Sequence, residues 1–399
     1  MKPLILIGFS EALSAPEAAW SLLDSGFEVV GFARRGRRAA LRHSAHVVVH
    51  DITAPERDTT AAQTELLQLM NSLGTAGREL LLFPLDDTAV WLCNQVKLPA
   101  AWRFVGPQGN NVSLALDKRF QVEAAQAAGL KVPPTTIAIT AEQVLARSAE
   151  LPLVLRPADA VLFDQGKLRK GKNWICATEA ELQQAAKSWA GAHPLLVQPF
   201  ITGVGAGVFG LATDAGVLGW SAHRRVRMMN PHGSGSSACV SQPVPPEVQC
   251  AIEKMIEQTG WRGLFMVELL GDDAGNHWFV EFNGRPWGSM ALACNQGLDY
   301  PAWAAQRAIN SYYPITVPLL NAAPVICRNV GRELMHFFFV LRGPKSKALS
   351  HWPSLWRTVF DLLRVRQRDC LYNWRRGDLR VLFRDVWYTL RSNLSKSNG

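Results

Sequence analysis

Residues 279–289 read FVEFNGRPWGS. An acid, an amide and an arginine (Glu281, Asn283 and Arg285) alternate over five positions behind an apolar run and just ahead of Pro286. Alternate residues of a β-strand share a face, so Glu281 and Asn283 project together. Upstream, GLFMVELLGDDAGNHWFVEFNGRP (263–286) reads as a hairpin turning at DDAG. Glu268 and Glu281 are the only ionisable side chains within its segments FMVELL and WFVEFN. One glutamate in a strand reads as an ion pair or a solvated side chain. The combination Glu–x12–Glu–x–Asn–x–Arg reads differently, because two neighbouring carboxylates repel unless a metal or protons compensate. Three oxygen-bearing side chains on one paired surface suit a hard cation such as Mg2+, which completes its shell with substrate phosphates.

Toward the amino end, apolar runs alternate with helix-like segments. LILIG (4–8), FEVVGFARR (27–35), HVVVHDI (46–52), ELLLFPL (79–85) and RFVGP (103–107) are spaced as strands, and PEAAWSLLDSG (16–26) as a helix closed by glycine. This βαβ rhythm predicts an open parallel sheet whose ligands lie beyond the carboxyl ends of the strands. Phe9, Ser10 and Glu11 follow the first strand, and Asp86, Asp87 and Thr88 follow the fourth. GFSEALS after the first strand lacks GxGxxG, which argues against a dinucleotide site.

The texture changes at 116. LDKRFQVEAAQAAG predicts a helix N-capped by Asp117 and stopped at Gly129. LPLVLRP (151–157) reads as a strand, DQGKLRKGKNW (164–174) as a basic turn, and residues 195–228 as antiparallel strands. Four units follow: 1–115 with a Rossmann-like parallel sheet, 116–194, 195–325, and a basic helical tail at 326–399. The fold class is α/β followed by α+β.

In order, VGPQG…ALDK (105–118), GLKVPPT (129–135), LVLRP (153–157), LVQPFITG (196–203), MVELLGDDAG (266–275) and FVEFNGRPWGS resemble the ATP-grasp superfamily of carboxylate–amine ligases. The similarity spans about residues 1–325 and is nearest to the carbamoyl-phosphate-synthetase-like and predicted ATP-dependent carboligase branches. It implies an ATP-grasp fold behind the parallel-sheet domain and a ligase that phosphorylates a carboxylate and passes it to an amine. The implied cofactors are ATP and Mg2+, with Mn2+ as substitute, and the implied substrates are a small carboxylate and a small amine. Glu268, Glu281 and Asn283 would hold the metal, while Lys118 and Arg156 would reach the phosphates. Gln198, Pro199, Phe200 and Ile201 would form the hinge that reads adenine. The basic turn would be a flap, with Lys172 its phosphate contact ahead of Lys167 and Lys170; a solvated turn is the alternative. Arg285 would stabilise charge building on the reacting acyl group. Two features depart from the pattern: Pro199 stands where relatives carry Glu, and GVGAGVFG lacks the usual ribose-binding Glu. In HRRVRMMNPHGSGSSACVSQPV (223–244), Arg225 and Arg227 alternate along a strand, and Gly233 and Ser234 offer backbone N–H groups. That stretch reads as a substrate-binding hairpin or as a mobile one.

The net charge of +9 is uneven: from Arg328 onward 15 Lys/Arg meet 5 Asp/Glu, and the remainder is within one charge of neutral. HWPSLWRTVFDLLRVRQRD and DLRVLFRDVWYTLRSNL read as amphipathic helices with Trp352, Leu355, Trp356, Val359, Phe360 and Leu363, and Leu382, Val386 and Leu390, on their apolar faces. They fit an anionic membrane surface, or they dock on the body or on a second subunit as a homodimer. The near-neutral body and the lack of a binding motif argue against nucleic acid. MKPLILIGFS is too short in its apolar run for a secretory leader, and the seven scattered cysteines lack a CxxC pair. Both point to a cytoplasmic protein, peripheral at the inner face of the membrane if the tail binds lipid.

Overall fold

The first five apolar runs form parallel strands β1 (Leu4–Gly8), β2 (Glu28–Arg34), β3 (Val48–Ile52), β4 (Leu80–Pro84) and β5 (Trp102–Phe104), in the order β3-β2-β1-β4-β5. The computed structural model describes all residues except 75–76, 232–234, 321–322, 345–351, 365, 367 and 397–399. β1 is buried throughout because both faces of the sheet are covered. Leu4 and Leu6 pack with Ala62, Leu66 and Leu92 from helices Thr59–Leu73 and Asp87–Gln95. Ile5 and Ile7 point the other way, into a core shared with Ala18, Leu22, Phe209, Leu211, Trp287 and Tyr300. That shared core fixes the parallel-sheet domain against the unit that carries FVEFNGRPWGS.

A second, antiparallel sheet holds β6 (Thr136–Ala138), β7 (Leu153–Pro157), β10 (Trp174–Cys176) and β11 (Leu195–Pro199), with β8 (Leu162–Asp164) and β9 (Lys167–Arg169) as a separate hairpin. Asp117 N-caps the helix Lys118–Ala128 by accepting the Arg119 N–H, and Gly129 closes it at φ 94°, where a side chain would be strained. The helix Glu179–Trp189 begins with a Thr178/Glu181 capping box and buries Leu182, Ala185, Ala186 and Trp189 on the sheet.

The third sheet holds β12 (Val204–Thr213), β13 (Gly216–Met228), β14 (Ser236–Gln242), β15 (Gly263–Gly271), β16 (His277–Asn283), β17 (Ile326–Arg328) and β18 (Cys370–Leu371), in the order β16-β15-β12-β13-β14-β17-β18. The DDAG turn forms as expected: Asp272 accepts from the Ala274 and Asn276 N–H groups and from the Trp278 indole. The boundary at 326 needs correction, since residues on both sides of it belong to one sheet through β17 and β18.

The tail helices Val330–Arg342, Leu355–Leu363 and Leu379–Lys396 dock on the body. Arg328 donates to the carbonyls of Asp361, Leu362 and Arg364, closing the second of these helices at its negative end, and pairs with Asp369 at 2.9 Å. Asp378 accepts from the Trp20 indole, the Ser44 hydroxyl and the Ala45 N–H of the first domain. No helix among the described residues is long and apolar enough to cross a membrane.

Candidate active site

β15 and β16 pair with Glu268 opposite Glu281 and Met266 opposite Asn283, and the register shifts just after Glu268. The two acids are therefore cross-strand neighbours in the hairpin. β16 is an edge strand, and Gln121 completes it: its amide donates to the Phe282 carbonyl at 2.9 Å and accepts the Phe282 N–H at 3.1 Å. Sequence reasoning missed Gln121; its only signal was a polar residue on the buried side of a helix.

Both acids of this pair are matched by an arginine. Arg156 donates to Glu281 Oε2 at 2.7 Å and to the Val280 carbonyl at 3.0 Å, and Asn283 Nδ2 lies 3.2 Å from Glu281 Oε1. Burial opposes ionisation of Glu281, but Arg156, Lys118 and Arg285 outweigh it and hold the carboxyl at about 2. Burial lowers the Lys118 pKa, against the pull of Glu281. Glu268 is paired with Arg225. That guanidinium crosses β12 where Gly205 stands: a Cβ there would sit 2.7 Å from Arg225 Cδ and 2.9 Å from Nε. The glycine-rich GVGAGVFG is thus a passage for an arginine.

Arg285 forks onto Asp87, Nε to Oδ1 at 2.8 Å and Nη2 to Oδ2 at 3.1 Å. Burial works against its charge, and Asp87 more than compensates, so its pKa rises. Asp87 opens the helix that follows β4, at the carboxyl end of the parallel sheet. The loop was visible in the sequence; the fork was not.

Several expectations change. Lys172 is exposed and stands over the Trp174 ring at 5.5 Å, and no ion pair joins it to Glu268 or Glu281. The stretch expected as a flap is the hairpin β8–β9, with Gln165 and Gly166 both at positive φ in its turn. It leans on the first domain: Thr59 donates through N and Oγ1 to the Gly166 carbonyl, Leu168 N–H bonds the Pro55 carbonyl, and Phe163 stacks on Trp91 at 5.6 Å. Arg227 does not share the site with Arg225. The register of β13 against β14 shifts between them, and Arg227 pairs with Glu333 at 2.6 Å instead. Gly233 and Ser234 lie outside the described residues. In the expected hinge, Gln198 is bonded to Thr135 Oγ1, and the Phe200 N–H is taken by the Pro152 carbonyl. Pro199 ends β11, and Ile201 follows in the link to β12.

No protein-family model matches the sequence, and no curated protein matches it. Solved structures do match by shape. The biotin carboxylase domain of Hydrogenobacter thermophilus 2-oxoglutarate carboxylase, in complex with MgADP, ADP and bicarbonate, superposes with a TM-score of 0.59 at 16% identity, covering 79% of this chain and 72% of that one. N5-carboxyaminoimidazole synthetase from Staphylococcus aureus gives 0.58 at 15%, covering 84% of each chain. The L-amino acid ligase of Bacillus licheniformis gives 0.55 at 17%, covering 78% and 74%. At such identities the likeness speaks for architecture, and together with the three sheets described above it shows that the chain has the ATP-grasp fold behind a parallel-sheet domain.

Proposed function

We propose that the protein is an ATP- and Mg2+-dependent ligase that joins a carboxylate to an amine. The observation that carries this is the cross-strand pair Glu268–Glu281 with Asn283 beside it, ringed by Arg156, Arg225, Lys118 and Arg285. Two adjacent carboxylates need positive charge, which here comes from Arg156 and Arg225. The donor set of two carboxylates and an amide oxygen fits Mg2+. A divalent ion held by Glu268, Glu281 and Asn283 would neutralise phosphate charge there, and Arg156 and Lys118 would then be free to grip phosphate oxygens.

In the reaction, a carboxylate oxygen attacks the γ-phosphorus of ATP and releases ADP. The amine then attacks the acyl phosphate, an amide forms, phosphate leaves and the amine loses a proton. Arg285, aligned by Asp87, stabilises the oxygen charge of the tetrahedral stage. The hinge Gln198–Ile201 would flank adenine, with Pro199, Phe200 and Ile201 contributing backbone. Support comes from the fold and from the MgADP bound in the Hydrogenobacter structure. ADP release, screened over amino acids and small acids and followed by product mass, tests the reading. ADP with an amide product is expected; ADP with only an acyl phosphate would make it a phosphotransferase. No ADP from any pair would leave a nucleotide-binding module without this activity.

A second property concerns the tail. Each of its three helices leaves an apolar stripe in solvent: Leu334, Phe338 and Leu341; Trp356, Phe360 and Leu363; Leu379, Phe383 and Trp387. Trp356 is 81% and Leu363 77% exposed, with exposed Arg357, Arg364, Arg380 and Arg384 beside the stripes. Aromatic side chains rimmed by arginine suit an anionic membrane surface, each arginine adding about 1 kcal/mol at low salt. Co-sedimentation with phosphatidylglycerol vesicles, lost in Trp356→Ser/Phe360→Ser, is the expected result. Equal sedimentation of this double variant, or a dimer that dissociates in it, would reassign the stripes.

A further inference from the structure

A cavity of about 630 Å3 lies between the carboxyl ends of β1 and β2 and the tail, lined on one side by Ser10, Glu11 and Arg37 and on the other by Arg332, Asn373 and Asp385. Its walls hold polar atoms that the fold does not satisfy. Ser10 Oγ, Glu11 Oε2 and Asn373 Oδ1 are buried without a hydrogen-bond partner, and Ser10 and Asn373 are 2% and 1% exposed. An unpartnered buried polar atom costs about 1–3 kcal/mol, so such a cluster persists where something else supplies the bonds. Asn373 Oδ1 is an acceptor without a partner, and Glu11 Oε2 has only the Arg34 guanidinium, 3.9 Å away, so both call for a donor-rich group.

Arg332 has the opposite need. It donates through Nη1 to the Ser236 carbonyl at 3.0 Å; Asp385 on the same wall draws on its charge, but the two form no ion pair. Gly235 accommodates this guanidinium: a Cβ there would stand 2.7 Å from Nη1. Burial lowers the Arg332 pKa, and burial raises those of Glu11 and Asp385. Charges of both signs are therefore desolvated around one space.

A neighbouring space extends the cavity's lining to the end of β4. A smaller space of about 270 Å3 shares Glu11, Ala12 and Arg37 with it and reaches Arg34 and Asp86. Arg34 gives its N–H to Glu11 at 2.7 Å and pairs with Asp86 at 3.1 Å, and the next residue is Asp87, the partner of Arg285.

We propose that this cavity holds the amine substrate and that this substrate is a zwitterion, an amino acid or short peptide, with its amino group at Glu11 and Asn373 and its own carboxylate at Arg332. This rests on the ligase reading. It gives the tail a role in choosing the substrate. A cavity of this size has room for a side chain or a second residue.

The test uses the full chain with ATP, Mg2+ and a panel of amino acids, dipeptides and their decarboxylated amines. ADP release is expected with a zwitterionic acceptor. Arg332→Gln should raise its KM about tenfold or more while the KM for ATP stays put. Ser10→Ala should raise the same KM a few-fold and leave the melting temperature equal or higher, because the lost hydroxyl bonds nothing in the fold. An unchanged acceptor KM in folded Arg332→Gln and in Ser10→Ala overturns the assignment and leaves the ligase reading standing. Equal use of decarboxylated amines overturns the carboxylate contact. If no pair releases ADP, the ligase reading fails separately. Calorimetric titration with the dipeptides then decides the cavity: binding weakened by Ser10→Ala supports it, and absence of binding overturns it.

Discussion

Glu281 and Glu11 are both carboxyls held near an arginine, and they are pulled in opposite directions. Burial resists the charge of Glu281, but three cations outweigh it and bring its pKa to about 2. Burial dominates at Glu11, whose pKa rises although Arg34 draws it down. The first region is a closed network in which each carboxylate has an arginine partner supplied by the chain. The second is open, with acceptors and a guanidinium left for a visitor. Matched charge keeps reacting groups in place and costs no reorganisation during chemistry. Unmatched buried polarity marks where selection among ligands takes place.

The largest effect should come from breaking the closed network. Glu281→Gln removes one carboxylate charge and leaves Arg156 without its partner. Turnover should fall ~10²-fold or more, for a loss of ~3 kcal/mol at the transition state. Steady-state ADP production in the folded variant measures this, and full activity would remove Glu281 from the metal site.

The next contrast is in pH. Burial pushes Glu17 up to about 7, against the Asn373 N–H that it accepts from the tail. The folded protein holds that proton more tightly than the unfolded chain does. Stability present below pH ~4.5 is therefore lost as pH rises through about 7, by up to about 3 kcal/mol for this group. Glu11 and Asp385 shift in the same direction, whereas Glu281 stays ionised throughout. Urea midpoints at pH 5 and pH 8 should differ, and Glu17→Gln should shrink the difference. A flat profile in the unmodified protein would contradict the buried-carboxyl account of tail docking.

Asp87→Asn tests the link between the regions. It keeps the shape but weakens the fork on Arg285, so kcat should drop about tenfold while the KM for ATP changes little. A loss confined to ATP affinity would make Arg285 a phosphate anchor.

The smallest effect is expected at Lys172. It is exposed over Trp174 and makes no ion pair with the glutamates, so Lys172→Ala should change kcat/KM for ATP less than twofold. A tenfold loss would show that the hairpin leaves its perch on Thr59 and Trp91 during turnover.

Local pattern sufficed for much of this protein. Apolar runs set the five parallel strands, Asp117 and Gly129 bounded a helix, and period-two alternation put Glu281 and Asn283 on one face, because these features depend on neighbours a few residues apart. The order of motifs carried the ATP-grasp fold. Tertiary structure alone decided who meets whom. Arg285 finds Asp87 across 198 positions, and Arg225 threads past Gly205 to Glu268. Arg227 is diverted to Glu333 by a register shift that strand periodicity cannot anticipate. The basic tail, legible only as amphipathic helices, donates two strands to the seven-stranded sheet and walls a cavity. Charge and amphipathicity say that a helix has a face to cover; the docked neighbours, fixed by long-range packing, decide which surface covers it and what space is left between.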